Sequence, residues 1–321
     1  MTTNGVAATV RPERAFRHEA FFYAGYDQFL AEVTAFVRDG VAQGEPTFVV
    51  LAADKLARLK AALGPESDTE RLEFADMSEI GHNPARLIPA WHDFVDQYIG
   101  CGSRLRGVGE PIDTGRSGAE LIECQHHESL LNLAFPQYLD LWLLCPYNVA
   151  GLSPEVVEAA RKNHPVIIES GRRHESDDFQ KVKAVPCPLG EPLPPPPEDR
   201  VELMFDAASL LELRAFVADH ARRAGLSDDR EADLVLSVNE LAANSIQYAS
   251  GWGILRIWRD GDVLLCEVRD DGTITDPLVG RLAPGMSPES SRGLWVVNQL
   301  CDLVQVRSSS AGTVVRLHIA L

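Results

Sequence analysis

The sequence predicts two domains. The first is an α/β domain on a doubly wound parallel sheet, and the second is an α+β domain with a helix layer on an antiparallel sheet. Three observations carry this. A chain of 321 residues suits two domains of ordinary size. A proline-rich stretch at 183–200 can be neither helix nor sheet interior. Across it the order of elements changes, from strands alternating with helices to strands grouped together.

Within 16–182, short apolar runs read as buried strands at 47–51, 71–74, 105–108, 139–144 and 166–168, and helical patterns fall at 27–40, 54–63, 84–99, 117–135 and 153–162. Such alternation implies a parallel sheet covered on both faces. Ligands of these sheets sit beyond the carboxyl ends of the strands, here Gly109-Glu110-Pro111 and Cys145-Pro146-Tyr147. No GxxxxGK[ST] run occurs, so the phosphate loop of a P-loop nucleotidase is missing.

In the linker, Pro192 and Pro194 through Pro197 favour an extended, semi-rigid polyproline II spacer. Over 201–321 the expected order is strand 201–205, helices 209–224 and 228–249, strands 254–258 and 263–268, helix 292–301, and strands 303–307 and 313–319. Ser209 with Glu212 reads as a capping box. Gly261-Asp262 reads as a hairpin turn, with Asp260 open as a third turn residue.

Asp and Glu number 47 against 30 Lys and Arg, a net charge of −17 spread over both halves. That balance disfavours nucleic acid and anionic membranes, which need a clustered basic face. The six cysteines show no CxxC pair, which suits a reducing compartment. Charges interrupt the first twenty residues and no apolar run is long enough to span a bilayer, so the expected location is cytoplasmic.

Four signals lie in order along the second domain. Glu240 and Asn244 are four apart on one helix, so a carboxylate and a carboxamide stack on one face. Magnesium with a nucleotide uses such oxygens, although the polar face of any amphipathic helix gives the same pattern. Asp270-Asp271-Gly272 follows a strand. There a carboxylate can receive the exocyclic amine of adenine and a glycine lets a flat ring approach; alone, the triplet is a turn. Ser290-Ser291-Arg292-Gly293-Leu294 opens a helix whose amides suit phosphate, or is an ordinary N-cap. Gly312-Thr313 begins the last strand, where the hydroxyl can reach a base or the pair is a simple hairpin.

Taken together, these residues of 201–321 resemble the GHKL ATPase superfamily, and specifically the short anti-sigma-factor serine kinases of bacterial stress and sporulation switches. The resemblance implies a Bergerat sandwich, ATP and magnesium as cofactors, and an ATP-dependent serine/threonine protein kinase whose partner is a sigma factor or an anti-sigma antagonist. By the same resemblance Glu240 is the general base, Asn244 the magnesium ligand, and Asp270 and Thr313 the adenine contacts. Gly272 admits the base, and Arg292, Gly293 and Leu294 hold phosphate under a mobile loop at 273–290. Three positions depart from the pattern: Ile274 replaces the second glycine of Asp-x-Gly-x-Gly, Ser291 replaces the first glycine before the phosphate helix, and Gln247 stands where a basic residue is common. No lysine occurs in 201–321, so phosphate charge falls to magnesium, Arg292, helix amides and Arg281.

Residues 16–179 resemble the MEDS sensory domain, through His18-Glu19-Ala20-Phe21-Phe22-Tyr23, Gly107-Val108-Gly109-Glu110-Pro111, Gly115-Arg116, Cys124-Gln125-His126-His127-Glu128 and Leu144-Cys145-Pro146-Tyr147. Thr114 stands where an aromatic is frequent. The resemblance implies sensing of a small-molecule signal. His18, Glu110, Arg116, Glu123, Cys124 and His127 are the pocket candidates, each also readable as a satisfied buried polar group or surface ion pair. Cys124 and His127, three apart, can ligate a metal only with further groups.

Three functions follow: a two-domain switch that phosphorylates an antagonist, a sensor histidine kinase with His127 as phosphoacceptor, or a non-catalytic binding module with a decayed nucleotide site. The second lacks a dimerising helix pair before the ATPase, where the proline linker stands. A homodimer is left open.

Overall fold

Residues 15–180, 189–283 and 292–321 are described by a computed structural model. The first unit runs β1 (Arg17–Tyr23), α1 (Tyr26–Gln43), β2 (Thr47–Leu51), α2 (Ala53–Leu63), β3 (Leu72–Asp76), α3 (Met77–Ile80), α4 (Leu87–Tyr98), β4 (Leu105–Gly109), α5 (Gly118–Ala134), β5 (Leu141–Asn148), α6 (Pro154–Asn163), β6 (Val166–Glu169) and β7 (Arg172–Glu175). Its seven strands order β3-β2-β4-β5-β1-β6-β7, parallel throughout except the β6–β7 hairpin.

Alternation along β2 shows how both faces are covered. Val49 and Leu51 pack with Phe29, Val33 and Val37 of α1 and Leu59 of α2, while Phe48 and Val50 pack with Trp91 and Phe94 of α4 and Leu130 of α5. The expected strands and helices form within a few residues of their predicted ends. Two strands were not anticipated. Near its start β1 carries His18 and Glu19, both buried, which break the apolar run by which strands are recognised, although it pairs with β5 and β6 in the sheet interior. β7 is polar and exposed.

The second unit runs β8 (Val201–Asp206), α7 (Leu210–Ala224), α8 (Asp228–Tyr248), β9 (Trp252–Asp260), β10 (Val263–Asp270), α9 (Arg292–Leu300), β11 (Leu303–Ser309) and β12 (Gly312–Ala320). Its sheet is antiparallel, ordered β11-β12-β10-β9-β8. One face carries Leu255, Leu264, Cys266, Val315, Leu317 and Ile319 onto the three helices. Along β12, Arg316 and His318 alternate onto the opposite face, toward the linker and α5.

Three local expectations change. Ser209 precedes α7 without a side-chain cap bond; its Oγ engages Asp206, donating to the carbonyl at 3.2 Å and accepting from the amide at 2.8 Å, so no capping box forms with Glu212. The capping box lies instead at Ser117 and Glu120, ahead of α5. Asp260 belongs to β9 and pairs with Val263, leaving Gly261, at φ +57°, and Asp262 as the turn. The linker is not a free spacer where it is described: Leu189 is buried, its carbonyl accepts from Ser308 N at 2.7 Å, and the Pro194 carbonyl accepts from Arg316 at 2.7 Å. Sheet groups that need acceptors hold these residues down.

Candidate functional site

Between α8, the end of β10, the start of α9 and β12 lies a cavity of about 440 Å³, within the range of small-molecule sites. Asn244, Asp270, Gly272, Arg292, Gly293, Leu294 and Thr313 all line it, along with Gln247 and Ile274. Glu240 stands one helical turn before Asn244. A Cβ built on Gly293 would lie 2.9 Å from Glu240 Oε2 and 3.3 Å from Asn244 Nδ2, so α8 and the start of α9 approach across that glycine.

Asp270 is held from two sides: Oδ2 accepts from Ser245 Oγ at 2.5 Å and Oδ1 from the Gly272 amide at 2.9 Å. Thr313, opposite Asp270 in the β10–β12 ladder, donates to the Gly272 carbonyl at 2.9 Å, and Ser308 Oγ lies 2.9 Å from the Thr313 hydroxyl while accepting from Ile274 N at 2.8 Å. Ser245 and Ser308 were not singled out from sequence. Ser245 is legible in hindsight as the residue beside Asn244 that turns toward the sheet, but Ser308 depends on strand register. Asp271 is spent locally, accepting from Ser250.

Arg281 does not line this cavity. It is buried against Glu123 of α5, Nη2 to Oε2 3.5 Å, so its expected role at phosphate is corrected: the nearby carboxylate takes it. Ser290 and Ser291, with the far part of the 273–290 loop, lie outside the described residues.

The sensory candidates do not share one pocket. Glu110 closes a trio with Tyr23 and Lys55 near the carboxyl ends of β1 and β4, accepting from Tyr23 OH at 2.6 Å and Lys55 Nζ at 2.5 Å. Burial still pushes its carboxyl above the ordinary range, against the pull of Lys55. Lys55 and Tyr23 are members that sequence reading missed. Arg116 donates to the carbonyls of Gly81, His82 and Pro111, tying loops together. Cys124 donates to the Pro111 carbonyl at 3.2 Å, and burial pushes its thiol up to about 12. His127 is buried with Nδ1 unpartnered, and desolvation drops it to about 3. It lines a cavity of only about 10 Å³, room for roughly one water. Among the described residues, neither Cys124 nor His127 belongs to a group of three or more possible metal ligands. His18 belongs to a separate buried group with Glu128, Cys145 and His164.

Glu123 faces the other unit. Its carboxylate accepts from Arg307 Nη2 at 2.7 Å and from Gln305 at 3.4 Å. Burial would raise its pKa, but His126, Arg307 and Arg281 outweigh this and hold it down at about 2. Nearby, Arg86 and Asn83 donate to the carbonyls that end α9: Arg86 to Asn298 at 2.9 Å and Gln299 at 2.5 Å, Asn83 to Asn298 at 3.0 Å. Cationic and polar donors suit a helix C-terminus. Between these contacts, Leu278 packs on the core cluster of Trp91 and Leu130, and Asn298 Nδ2 donates to the Gly280 carbonyl at 2.9 Å. The near end of the loop over the cavity is thus braced by the first unit.

Residues 17–165 match the family model described as MEDS: MEthanogen/methylotroph, DcmR Sensory domain, and residues 203–319 match that of the histidine kinase-like ATPase domain. No curated protein matches the chain. Among solved structures, the RsbU and RsbW domains of Rv1364c from Mycobacterium tuberculosis align at 18% identity and a TM-score of 0.30, over 39% of this chain and 33% of that one. The Acinetobacter baumannii histidine kinase AdeS aligns at 14% identity and a TM-score of 0.23, over 37% of this chain and 67% of that one. The match thus spans about a third of the mycobacterial chain. No helix among the described residues is long and apolar enough to cross a membrane.

Proposed function

In a chain that carries a MEDS sensory domain ahead of a histidine kinase-like ATPase domain, we propose that the second domain binds magnesium-ATP and phosphorylates a serine or threonine of an anti-sigma antagonist, under control of a small-molecule signal at the first. The observation that carries this reading is the single cavity lined by Asn244, Asp270, Gly272, Arg292, Gly293, Leu294 and Thr313, with Glu240 against its Gly293 wall. Asp270, oriented by Ser245 and Gly272, presents an acceptor for the adenine amine, with Thr313 beside it. Asn244 would hold magnesium, which would supply positive charge to offset that of the transferring phosphoryl group. Gly293 and Arg292, at the start of α9, would meet the phosphates. Glu240 is the base that would take the acceptor hydroxyl's proton.

Control would run through the braces on the 276–281 segment. Glu123 and Leu278 join that segment to α5 and the first core, so a signal that moves α5 changes how the loop over ATP is held.

A histidine kinase reading is disfavoured by His127, which is 1% exposed and offers no access to a γ-phosphate. A non-catalytic module is favoured by Ile274 in the cavity wall and by Arg281 being engaged elsewhere. Calorimetric titration of the full chain with magnesium-ATP, beside Asn244→Ala, separates the readings. Binding in the wild type that the variant loses, with acid-stable label passed to a protein serine or threonine, is expected. No heat in either protein supports the non-catalytic module, and acid-labile label supports the histidine kinase.

A further inference from the structure

Four side chains that the nucleotide reading does not use converge inside the first domain. His18 of β1, Glu128 of α5, Cys145 of β5 and His164, just after α6, are each at most 4% exposed, and one donor atom from each lies within 4.8 Å of all the others. His18 Nε2 is 3.0 Å from Glu128 Oε2 and 3.4 Å from Cys145 Sγ, and His164 Nε2 is 3.2 Å from the same Glu128 oxygen. Four ligands placed tetrahedrally at zinc bond lengths stand about 3.3–3.8 Å apart. The set is nearly at that spacing.

The outer nitrogens settle which atoms face inward. The Asn132 amide nitrogen donates to the carbonyl of Asn163 at 2.9 Å and lies 3.4 Å from those of Glu128 and Ser129. Its Oδ1 is thereby turned to His18 Nδ1 at 3.2 Å, so that nitrogen carries the proton. His164 Nδ1 donates to the Ala160 carbonyl at 2.8 Å. Both rings are thus fixed by oxygen acceptors on the outer side, the arrangement that aims imidazole at a metal, and both Nε2 lone pairs point at a carboxylate. His164 Nε2 makes no hydrogen bond despite its distance, and Glu128 Oε1 has no partner at all.

Lone pairs, a carboxylate and a sulfur facing one another in a dry interior repel unless something positive sits among them. From this geometry we infer that His18, Glu128, Cys145 and His164 form a divalent metal site, for which the mixed nitrogen, sulfur and oxygen set selects zinc. Binding replaces the Cys145 thiol proton, which leaves to solvent, with the metal–sulfur bond. The charges then close: the dication meets one thiolate and one carboxylate, and the buried site is neutral. The site draws together β1, β5, α5 and the end of α6, and it shares α5 with Glu123, so its occupancy bears on the helix that docks against the ATPase. The inference does not rest on ATP binding or kinase activity.

The test is metal analysis of the purified full chain after equilibration with zinc and desalting, followed by cobalt substitution and absorption spectroscopy. About one metal per chain is expected, with a thiolate-to-cobalt charge-transfer band that Cys145→Ser removes while the ligand-field bands remain. His18→Gln with His164→Gln should lower the content at least tenfold. Should those variants fail to fold, X-ray absorption at the zinc edge of the wild type decides: one sulfur among four ligands supports the site. A six-coordinate shell of oxygen, metal well below stoichiometry in the wild type, or full content in the double histidine variant overturns it.

Discussion

The Asp270 carboxylate is oriented before any ligand arrives, because Ser245 and the Gly272 amide hold one oxygen each. Ser245→Ala removes a buried donor to a charged group, a loss of about 1–3 kcal/mol. Its expected signature is a lowered unfolding midpoint in urea together with weaker nucleotide binding by calorimetry. Asp270→Asn keeps the shape and turns an acceptor partly into a donor. Nucleotide affinity should fall at least tenfold while the melting temperature moves little, and unchanged affinity would remove Asp270 from the adenine site. At this scale the sequence singles out Asp270 and Thr313, and both line one cavity, because spacing along strands and helices carries their positions. It misjudged Arg281: nothing local distinguishes an arginine aimed at phosphate from one aimed at Glu123, a partner 158 residues away.

Among elements, α8 and α9 meet across Gly293, where a methyl group would press on Glu240 Oε2 at 2.9 Å. Since that atom ends a flexible side chain, Gly293→Ala should leave the fold intact and displace the base. Phosphoryl transfer is expected to drop at least tenfold with thermal stability nearly unchanged, measured by label transfer and calorimetry side by side. On β12, burial and Arg316 lower His318 to about 4. The unfolded chain therefore takes up this proton first as pH falls from about 6.5 toward 4, and stability falls with it, by at most about 1.4 kcal/mol per pH unit. His318→Gln should flatten that part of a stability–pH curve measured by urea unfolding; an unchanged slope would assign the loss to other groups. Helices and apolar strands were legible because period and burial agree. β1 was not, since its buried His18 and Glu19 meet their neighbours only in the folded chain: Asn132 accepts from the histidine and Arg173 pairs with the glutamate.

For the whole molecule, docking centres on Glu123, which answers Arg307 and Arg281, and on Arg86 at the end of α9. Removing one partner from a buried ion-paired group costs about 3–5 kcal/mol. Glu123→Ala should therefore separate the units, seen as a larger radius of gyration in solution scattering and faster proteolysis between them. ATP turnover should change in the same variant if the braces on the 276–281 segment control the loop, and turnover equal to wild type would sever sensing from that contact. Because Glu123 is held near 2, its contribution is complete above its ordinary value of about 4.5 and is lost only as pH falls from there. By itself the sequence determined the two units, nearly all their elements and a set of residues that line one cavity of the second unit, since those depend on periodicity and on spacing within neighbouring segments. Only the tertiary structure decided that Glu123 belongs to the interface rather than a sensory pocket, that the linker lies on the sheet, and that His18, Glu128, Cys145 and His164 meet. Those facts pair groups 36 to 184 residues apart, and no local pattern encodes which buried charge will find which partner.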